Sequence, residues 1–316
     1  MKTKAPPMVA PRTSVLLWNL KRSRTTLLML APATILVFVF SYLPMAGIVL
    51  AFKQFNYQQG IFRSPWVGME NFRFFFISGR AASITANTFR YNLTFMVVNT
   101  FLKLLFAIIL SEMRNRHYKK LTQSVMFFPT FISWVVVGSI AYNIFNFEHG
   151  FLNAALKLFG AKPLDIYNTP AIWKYLLVAF KAWKDVGYGV VVYMAAIVSI
   201  DTGLYEAAEI DGANLFQRIF RITLPLLVPT IVLLTLLDVG QIFRGDFGLF
   251  YQLVGSNGRL YNATDIIDTY VFRALLQSSD VGMAAAAGLY QSVLCFITIM
   301  LTNAAVKRVQ SDYALF

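Results

Sequence analysis

The sequence predicts an all-α membrane protein with six transmembrane helices and a cytoplasmic loop between the fourth and the fifth. Hydrophobic residues make up 57% of the 316 residues and charged residues only 14%, whereas soluble globular proteins carry about a quarter charged residues. Crossing the hydrocarbon core takes roughly 20 apolar residues. Six stretches meet this requirement: residues 25–52, 91–110, 123–145, 173–200, 226–243 and 283–306.

The first apolar stretch, residues 25–52, raises the question of a cleaved signal peptide. It is longer than the apolar region of a signal peptide, and no convincing small-residue cleavage site follows it. We therefore expect a retained transmembrane helix.

Basic residues are distributed at the ends of the apolar stretches, which argues against nucleic-acid binding despite a net charge of +13. Residues 1–24 contain six Lys or Arg and no acid. The turn after the second stretch carries Arg114, Arg116, Lys119 and Lys120. The excess of Lys and Arg in cytoplasmic segments then places both regions in the cytoplasm.

An even number of crossings puts both termini on the cytoplasmic side. The chain then divides into a cytoplasmic N-terminal segment (residues 1–24), a six-helix transmembrane domain (residues 25–306) and a cytoplasmic tail (residues 307–316).

The loop between the fourth and fifth stretches carries the most specific pattern in the chain. It reads E-A-A, three residues, G, nine residues, I-x-L-P. The residues of this pattern, with the acid before the glycine, are Glu206, Ala207, Ala208, Asp211, Gly212, Ile222, Leu224 and Pro225. Good helix formers precede Gly212, which permits a sharp turn, and Pro225 suits the first turn of a following helix. We predict a short helix, a bend and a second helix.

This pattern resembles the EAA loop of binding-protein-dependent ABC importer permeases of the type I, maltose-permease-like group. The resemblance implies that the loop is a coupling helix that docks on an ATPase subunit, with the eight residues named above as the coupling site. The alternative is an amphipathic interfacial helix that only caps the bundle.

The resemblance also implies a set of partners in the bacterial inner membrane: a second permease subunit, two ATP-binding subunits and an extracytoplasmic solute-binding protein, with lipid around the helices. The chain has no G-x-x-x-x-G-K-[ST] loop for nucleotide phosphates. We therefore expect no cofactor in this chain, ATP and Mg²⁺ on the partner subunits, and no enzymatic activity of its own. No metal site is expected, since Cys295 is the only cysteine.

Two segments outside the loop indicate a subgroup. Residues 42–45 (Y-L-P-M) and 64–68 (S-P-W-V-G) resemble the permeases that import oligosaccharides and polysaccharides. An ion-coupled secondary transporter is a less favoured alternative, because no internal repeat is apparent. A membrane enzyme would need a catalytic constellation, and the sequence has none.

Ionisable residues within apolar stretches mark the predicted substrate pathway, because charges are costly in hydrocarbon. In the fourth stretch these are Lys181, Lys184 and Asp185, flanked by Trp183 and Tyr188. Lys181 and Asp185 have the spacing of an ion pair on one helix face, which leaves Lys184 without a local partner.

Asp238 and Gln241 add a polar stripe to the fifth stretch. Lys103 in the second stretch either joins the pathway or extends its side chain to the membrane surface.

A surplus of cations beside the pathway would favour an anionic substrate, because a carboxylate that leaves water needs a paired charge. We therefore expect an anionic, alginate-like oligosaccharide or polysaccharide, with a neutral oligosaccharide as the alternative.

Overall fold

The computed structural model describes residues 23–77 and 79–309, so nearly all of the N-terminal segment and the end of the tail lie outside the described residues. Regular structure within that part is helical, apart from one isolated bridge between Lys53 and Trp66. The helices of eight residues or more are α1 Arg24–Phe52, α2 Glu70–Ile77, α3 Arg80–Glu112, α4 Arg116–Phe127, α5 Trp134–Phe145, α6 Phe151–Leu158, α7 Pro170–Val198, α8 Thr202–Ile210, α9 Leu215–Gly240, α10 Phe247–Val254, α11 Ile267–Leu276 and α12 Val281–Val309.

Four of these helices, α1, α3, α9 and α12, are long and apolar enough to cross a membrane. Two pairs reach that length and hydropathy only together: α4 with α5, which meet at 95°, and α7 with α8, which meet at 69°. The fold class is confirmed as all-helical with four to six candidate spans in the described residues. Helix α7 is itself 29 residues long, but its three lysines and one aspartate lower its hydropathy.

The third predicted span, residues 123–145, is not one continuous helix, and that part of the prediction is wrong. Helix α4 ends at Phe127, a 3₁₀ turn follows over Phe128–Phe131, and α5 starts at Trp134. Pro129 has no N–H and cannot continue the α-helical hydrogen bonding. The Ser133 hydroxyl then caps α5 by accepting a hydrogen bond from the Val136 N–H, at 3.4 Å.

Helix α1 changes its pitch along its length. It is α-helical to Val37, forms a π turn over Phe38–Tyr42 and continues as a 3₁₀ helix over Leu43–Phe52. Pro44 lies at the start of the tighter part, where its missing N–H breaks the regular pattern. The 3₁₀ part packs on α12, whereas the first half is largely exposed, as suits lipid or a partner subunit.

The core of the bundle is built where α3 packs along α7. At one end the shared cluster includes Tyr91, Phe95, Trp173 and Phe250. This cluster also contains residues of α5 and α10. Towards the other end, Ala107 and Leu110 of α3 lie against α7 residues such as Val190, together with Leu227 of α9. These contacts hold α3, α7 and α9 around a common space.

Helix α7 approaches the break between α4 and α5 very closely at Gly187. A methyl group at this position would overlap the Met126 carbonyl and the Phe127 backbone. Backbone atoms cannot move aside as a flexible side chain can. The glycine therefore allows the two chain segments to touch.

We expect Gly187→Ala to destabilise the fold by about 1–3 kcal/mol, the range for overpacking a tight interior. Thermal unfolding of the purified protein in detergent would measure this loss. The matched control is Gly288→Ala, another helical glycine, whose added methyl group would meet nothing within 4 Å. Equal unfolding temperatures for the two variants would contradict the close approach at Gly187.

Candidate functional site

A polar cavity of 360 Å³ lies between α3, α7 and the end of α9. Charged groups and amides from α3, α7, α9 and the chain just after α9 line it: Asn92, Asn99, Lys103, Lys181, Asp185, Asp238, Gln241, Arg244 and Asp246. Phe95, Met96, Leu237 and Gly245 complete the lining. Four of the predicted pathway residues are thus brought together: Lys181, Asp185, Asp238 and Gln241.

Lys181 is the centre of the charge pairing in this cavity. Its Nζ lies 2.7 Å from the Asp185 carboxylate and 2.8 Å from the Asp246 carboxylate. The expected pair within α7 is present, and Asp246 adds a second carboxylate from the chain after α9. Asp246 also caps α10, because its other oxygen accepts a hydrogen bond from the Leu249 N–H at 3.1 Å.

The side-chain amide of Asn92 donates hydrogen bonds to backbone carbonyls just after the end of α9. It donates to the carbonyls of Ile242 and Arg244, at 2.8 and 3.0 Å. Both carbonyls lie just after the last helical residue, Gly240, where the chain has left the helical hydrogen-bonding pattern. Asn92 thereby ties α3 to the end of α9 and shapes the rim of the cavity.

Asp268 of α11, which is not one of the membrane-spanning helices, contacts the rim of the cavity at Gly245. Its carboxylate accepts hydrogen bonds from the Gly245 N–H at 2.7 Å and the Gln291 side-chain amide at 2.9 Å. Burial raises the pKa of the Asp268 carboxyl, while these two hydrogen bonds oppose the shift.

Lys103 lines the cavity, so its side chain belongs to the polar space. The aliphatic part of the side chain passes directly over Gly189 of α7, where any larger residue would collide with it. Neither Lys103 nor Arg244 forms an ion pair within 4.0 Å among the residues that the structure describes.

The cavity does not carry the predicted surplus of cations. Its three cations, Lys103, Lys181 and Arg244, are matched by three carboxylates, those of Asp185, Asp238 and Asp246. Because Lys181 is shared between two of these carboxylates, the cations left without an ion pair are Lys103 and Arg244.

Lys184 was predicted to lack a local partner, and its partners are distant in sequence. Its Nζ donates to the carbonyls of Pro129, Thr130 and Ile132, at 3.2 and 3.0 Å for the first two, and lies 5.3 Å from the centre of the Trp134 ring. These carbonyls are the ones exposed by the break between α4 and α5. An ammonium group with three donors satisfies them all.

Trp183 and Tyr188 are also absent from the lining of the polar cavity. Trp183 borders a mainly apolar hollow between α3, α4 and α7. Tyr188 is exposed and stacks on Phe127, with ring centres 6.3 Å apart. These two residues and Lys184 remain predicted pathway residues only on the sequence argument.

Several cavity residues were missed from the sequence: Asn92, Asn99, Arg244 and Asp246. The spacing of Asn92, Asn99 and Lys103, seven and then four residues apart, does place them on one face of α3. This spacing is visible in the sequence, but a prediction based on charged residues does not include neutral amides. Arg244 and Asp246 lie just past the fifth apolar stretch.

We expect Lys184→Met to act through stability, because the Thr130 and Ile132 carbonyls lose their Lys184 donor, while the Pro129 carbonyl keeps the Ile132 N–H. The loss should be about 2 kcal/mol, in the range of a hydrogen bond made by a charged group. Thermal unfolding and uptake kinetics together would check this: we expect a lower unfolding temperature and less active protein with an unchanged KM. A raised KM for an acidic oligosaccharide at unchanged stability would contradict this role for Lys184.

The E-A-A pattern lies on α8 and the start of α9, joined by a tight turn. Asp201 caps α8 through the Gly203 N–H at 2.9 Å, and Gly212 has a φ of +75° after the last turn. That backbone conformation strongly favours glycine. Asn214 and Gln217 then form a reciprocal capping box at the start of α9.

The outward surface of this element is exposed. Glu206, Ala207, Asp211 and Gly212 are exposed, and the neighbouring Ile210 is 87% exposed. Ile222, Leu224 and Pro225 lie farther on, where α9 passes from a π turn over Ile219–Thr223 into a regular helix. An exposed isoleucine beside small alanines suits contact with a protein surface.

Arg218 connects this element to the membrane-spanning part of the bundle. Its guanidinium lies 3.8 Å from Glu112 at the end of α3 and 3.9 Å from Glu209 in α8. Tyr205 and Thr223 add a second link between α8 and α9, with their hydroxyl oxygens 2.9 Å apart. Arg218 therefore links α8 to α3, and the Tyr205–Thr223 contact links α8 to α9.

Residues 103–311 match the family model described as "binding-protein-dependent transport system inner membrane component". The chain belongs to this family. It is a membrane permease subunit of a sugar or oligosaccharide ABC importer, with several apolar helices in the inner membrane. It is not catalytic, because ATP is hydrolysed by partner ATPases.

Two curated relatives from Bacillus subtilis (strain 168) align over almost the whole chain. Protein LplB is 30% identical, with 98% of this chain and 97% of LplB covered. The polygalacturonan/rhamnogalacturonan transport system permease protein YteP is 31% identical, with 93% of this chain and 91% of YteP covered.

The fold is similar to that of a solved bacterial ABC transporter involved in the import of the acidic polysaccharide alginate. The TM-score is 0.84 at 30% sequence identity, over 93% of this chain and 99% of the solved chain. A structure of a bacterial alginate ABC transporter in complex with a periplasmic protein that holds an alginate pentasaccharide gives a TM-score of 0.83, also at 30% identity, over 93% and 98% of the two chains.

Proposed function

We propose that this chain forms one half of the translocation pathway of an importer for acidic, alginate-like oligosaccharides. The observation that carries the proposal is the polar cavity between α3, α7 and α9. Asp238 and Gln241 line it and yet are exposed, so the cavity is open on one side. A second permease subunit would supply the missing wall.

In this proposal one of the two ATP-binding subunits docks on the α8 element, with Glu206, Ala207 and Ala208 at the contact and Gly212 at its turn. Closure of the ATPase pair on ATP and Mg²⁺ would push α8, and Arg218 would pass the movement to α3. Helix α3 carries Asn92, Asn99 and Lys103 of the cavity wall. The movement would therefore reach the pathway directly.

The proposed orientation places both termini and the α8 element in the cytoplasm. The basic turn around Arg114, Arg116, Lys119 and Lys120 supports it, since such residues stay in the cytoplasm. An extracytoplasmic solute-binding protein would deliver the sugar at the opposite end, near α6 and α11. The three-part division at residues 24 and 306 follows from the same orientation.

The acidic nature of the substrate has two supports. The similar structures belong to a transporter of the acidic polysaccharide alginate, and one relative is named for polygalacturonan. Within the cavity, Lys103 and Arg244 have no carboxylate partner within 4.0 Å among the described residues. A sugar carboxylate can supply the missing partner.

Reconstituted uptake tests the whole proposal. The chain, its partner permease and the ATP-binding subunits would be purified together and placed in proteoliposomes with the binding protein and labelled uronate oligomers. We expect ATP-dependent uptake that vanadate blocks. ATP-independent uptake driven by an ion gradient would overturn the proposal, and preferential uptake of neutral oligosaccharides would favour the alternative substrate.

We expect Lys103→Gln and Arg244→Gln each to raise the KM for uronate oligomers by about tenfold, the loss expected for one charge-assisted hydrogen bond. A neutral oligosaccharide of the same length should show no such change. Lys162→Gln, which removes an exposed cation from a loop, is the control. Equal effects on the acidic and the neutral sugar would contradict a role for these cations in charge recognition.

We expect Arg218→Ala to lower uptake by roughly three- to thirtyfold, the size of typical coupling energies between sites, because α8 loses its link to α3. The ATP-binding subunits should still co-purify, and their basal ATPase rate should persist. Arg218→Lys should restore part of the uptake. Arg116→Ala, at an exposed arginine of α4, is the matched control, and loss of ATPase binding in Arg218→Ala would contradict a role limited to transmission.

A further inference from the structure

A second cavity, of 330 Å³, lies between α3, α7 and the one-turn helix Tyr261–Thr264. It is separate from the polar cavity of the proposed pathway and shares no lining residue with it. Its wall consists of Asn87, Arg90, Tyr91, Thr94, Lys174, Tyr175, Val178, Asn262 and Ala263.

Two cations face this cavity, Arg90 of α3 and Lys174 of α7, and no carboxylate lines it. Both side chains are exposed. Within residues 23–77 and 79–309, neither has an ion pair within 4.0 Å or a side-chain hydrogen bond. Two neighbouring cations without counter-charge repel one another and attract an anion.

The back wall of the cavity is held in place by hydrogen bonds. The Asn87 amide donates to the carbonyls of Asn262 and Asp265, at 3.2 and 3.1 Å, and the Tyr91 hydroxyl donates to the carbonyl of Ala263 at 2.8 Å. The shape of the cavity therefore does not depend on the exposed cations. Substituting those cations should leave the fold intact.

The cavity lies on the opposite face of α3 from the proposed pathway. Arg90 and Thr94 are about half a turn around the helix from Asn92 and Asn99, since successive residues are about 100° apart. The same face continues to Val97 and Phe101, which are 60% and 63% exposed. An apolar face turned away from the pathway, and so from the second permease subunit, suits contact with lipid chains.

Arg90 and Lys174 also lie at the depth of a membrane boundary. Helix α3 has 33 residues, more than the roughly 20 that cross the hydrocarbon core, and Arg90 directly precedes its apolar stretch. Lys174 lies in the first turns of α7 beside Tyr175, which is 78% exposed. Tyrosines and basic residues are enriched at this boundary, where lipid headgroups begin.

We propose that this cavity binds the phosphate of an anionic phospholipid headgroup at the membrane boundary opposite the α8 element. Arg90 and Lys174 would contact the phosphate oxygens, and the Asn262 side chain would reach the polar headgroup. The acyl chains would run along Val97 and Phe101. The choice of the lipid-facing side rests on the proposed function, because it takes the polar cavity as the pathway.

Native mass spectrometry of the purified, delipidated full-length protein tests this site. Phosphatidylglycerol, phosphatidylcholine and inorganic phosphate would be titrated separately. We expect retention of phosphatidylglycerol, weaker retention of phosphatidylcholine and none of inorganic phosphate. Arg90→Gln and Lys174→Gln should each weaken phosphatidylglycerol binding about fivefold and together about twenty- to thirtyfold, since each cation near an anionic membrane contributes about 1 kcal/mol.

The pair Lys157→Gln and Lys162→Gln is the matched control, because these lysines are exposed on a loop and a short helix outside the cavity. The exchanged pair Arg90→Lys with Lys174→Arg should keep most of the binding. Equal loss in the control, no loss in the Gln pair, or equal binding of inorganic phosphate would each overturn the lipid site. Displacement of phosphatidylglycerol by a uronate oligomer would also overturn it and indicate a sugar site.

This measurement separates the lipid site from the proposed function. Retention of lipid is read on the protein itself and needs neither ATP nor uptake. Failed uptake with intact, charge-dependent lipid retention would count against the importer proposal alone. Normal uptake with no specific retention would count against the lipid site alone.

Discussion

The structure depends on one constraint: backbone and charged groups placed at membrane depth must find a partner within the protein or face a polar cavity, because hydrocarbon offers no partner. The break between α4 and α5 is where this constraint is most severe. Pro129 ends the first helix, and several carbonyls lose their helical donors. Lys184 of α7 donates to three carbonyls at this break, so a half-buried cation and a broken helix stabilise each other.

The same constraint organises the polar cavity. Helix α9 ends at Gly240, and the Asn92 amide donates to two carbonyls in the turn that follows. Lys181 holds Asp185 and Asp246 together, which fixes the chain after α9 against α7. Polar groups that satisfy the backbone thus also form the rim of the cavity, and the close approach at Gly187 and Gly189 brings the helices near enough for these contacts.

The sequence was sufficient to predict the helical membrane fold, the family and the Lys181–Asp185 pair, because hydropathy, the E-A-A spacing and the i,i+4 rule are local signals. It was not sufficient for the break at Pro129 or the role of Lys184. The hydropathy of residues 123–145 hides the local effect of Pro129, and the role of Lys184 depends on contacts with residues more than fifty positions away. The partners of Asn92 are also distant in sequence, since they lie in the turn that follows α9.

The polar cavity's net charge also could not be read from one helix at a time. In α7 alone, lysines outnumber the single aspartate, so this helix by itself predicts a cationic pathway. Folding brings Asp238 and Asp246 to the cavity and removes Lys184 from it, so cations and carboxylates balance. In the proposed function, a sugar carboxylate would meet a lining with no overall attraction, and its binding would depend on where Lys103 and Arg244 lie. Recognition of an acidic sugar in such a site would rest on the positions of Lys103 and Arg244 rather than on the sum of charges.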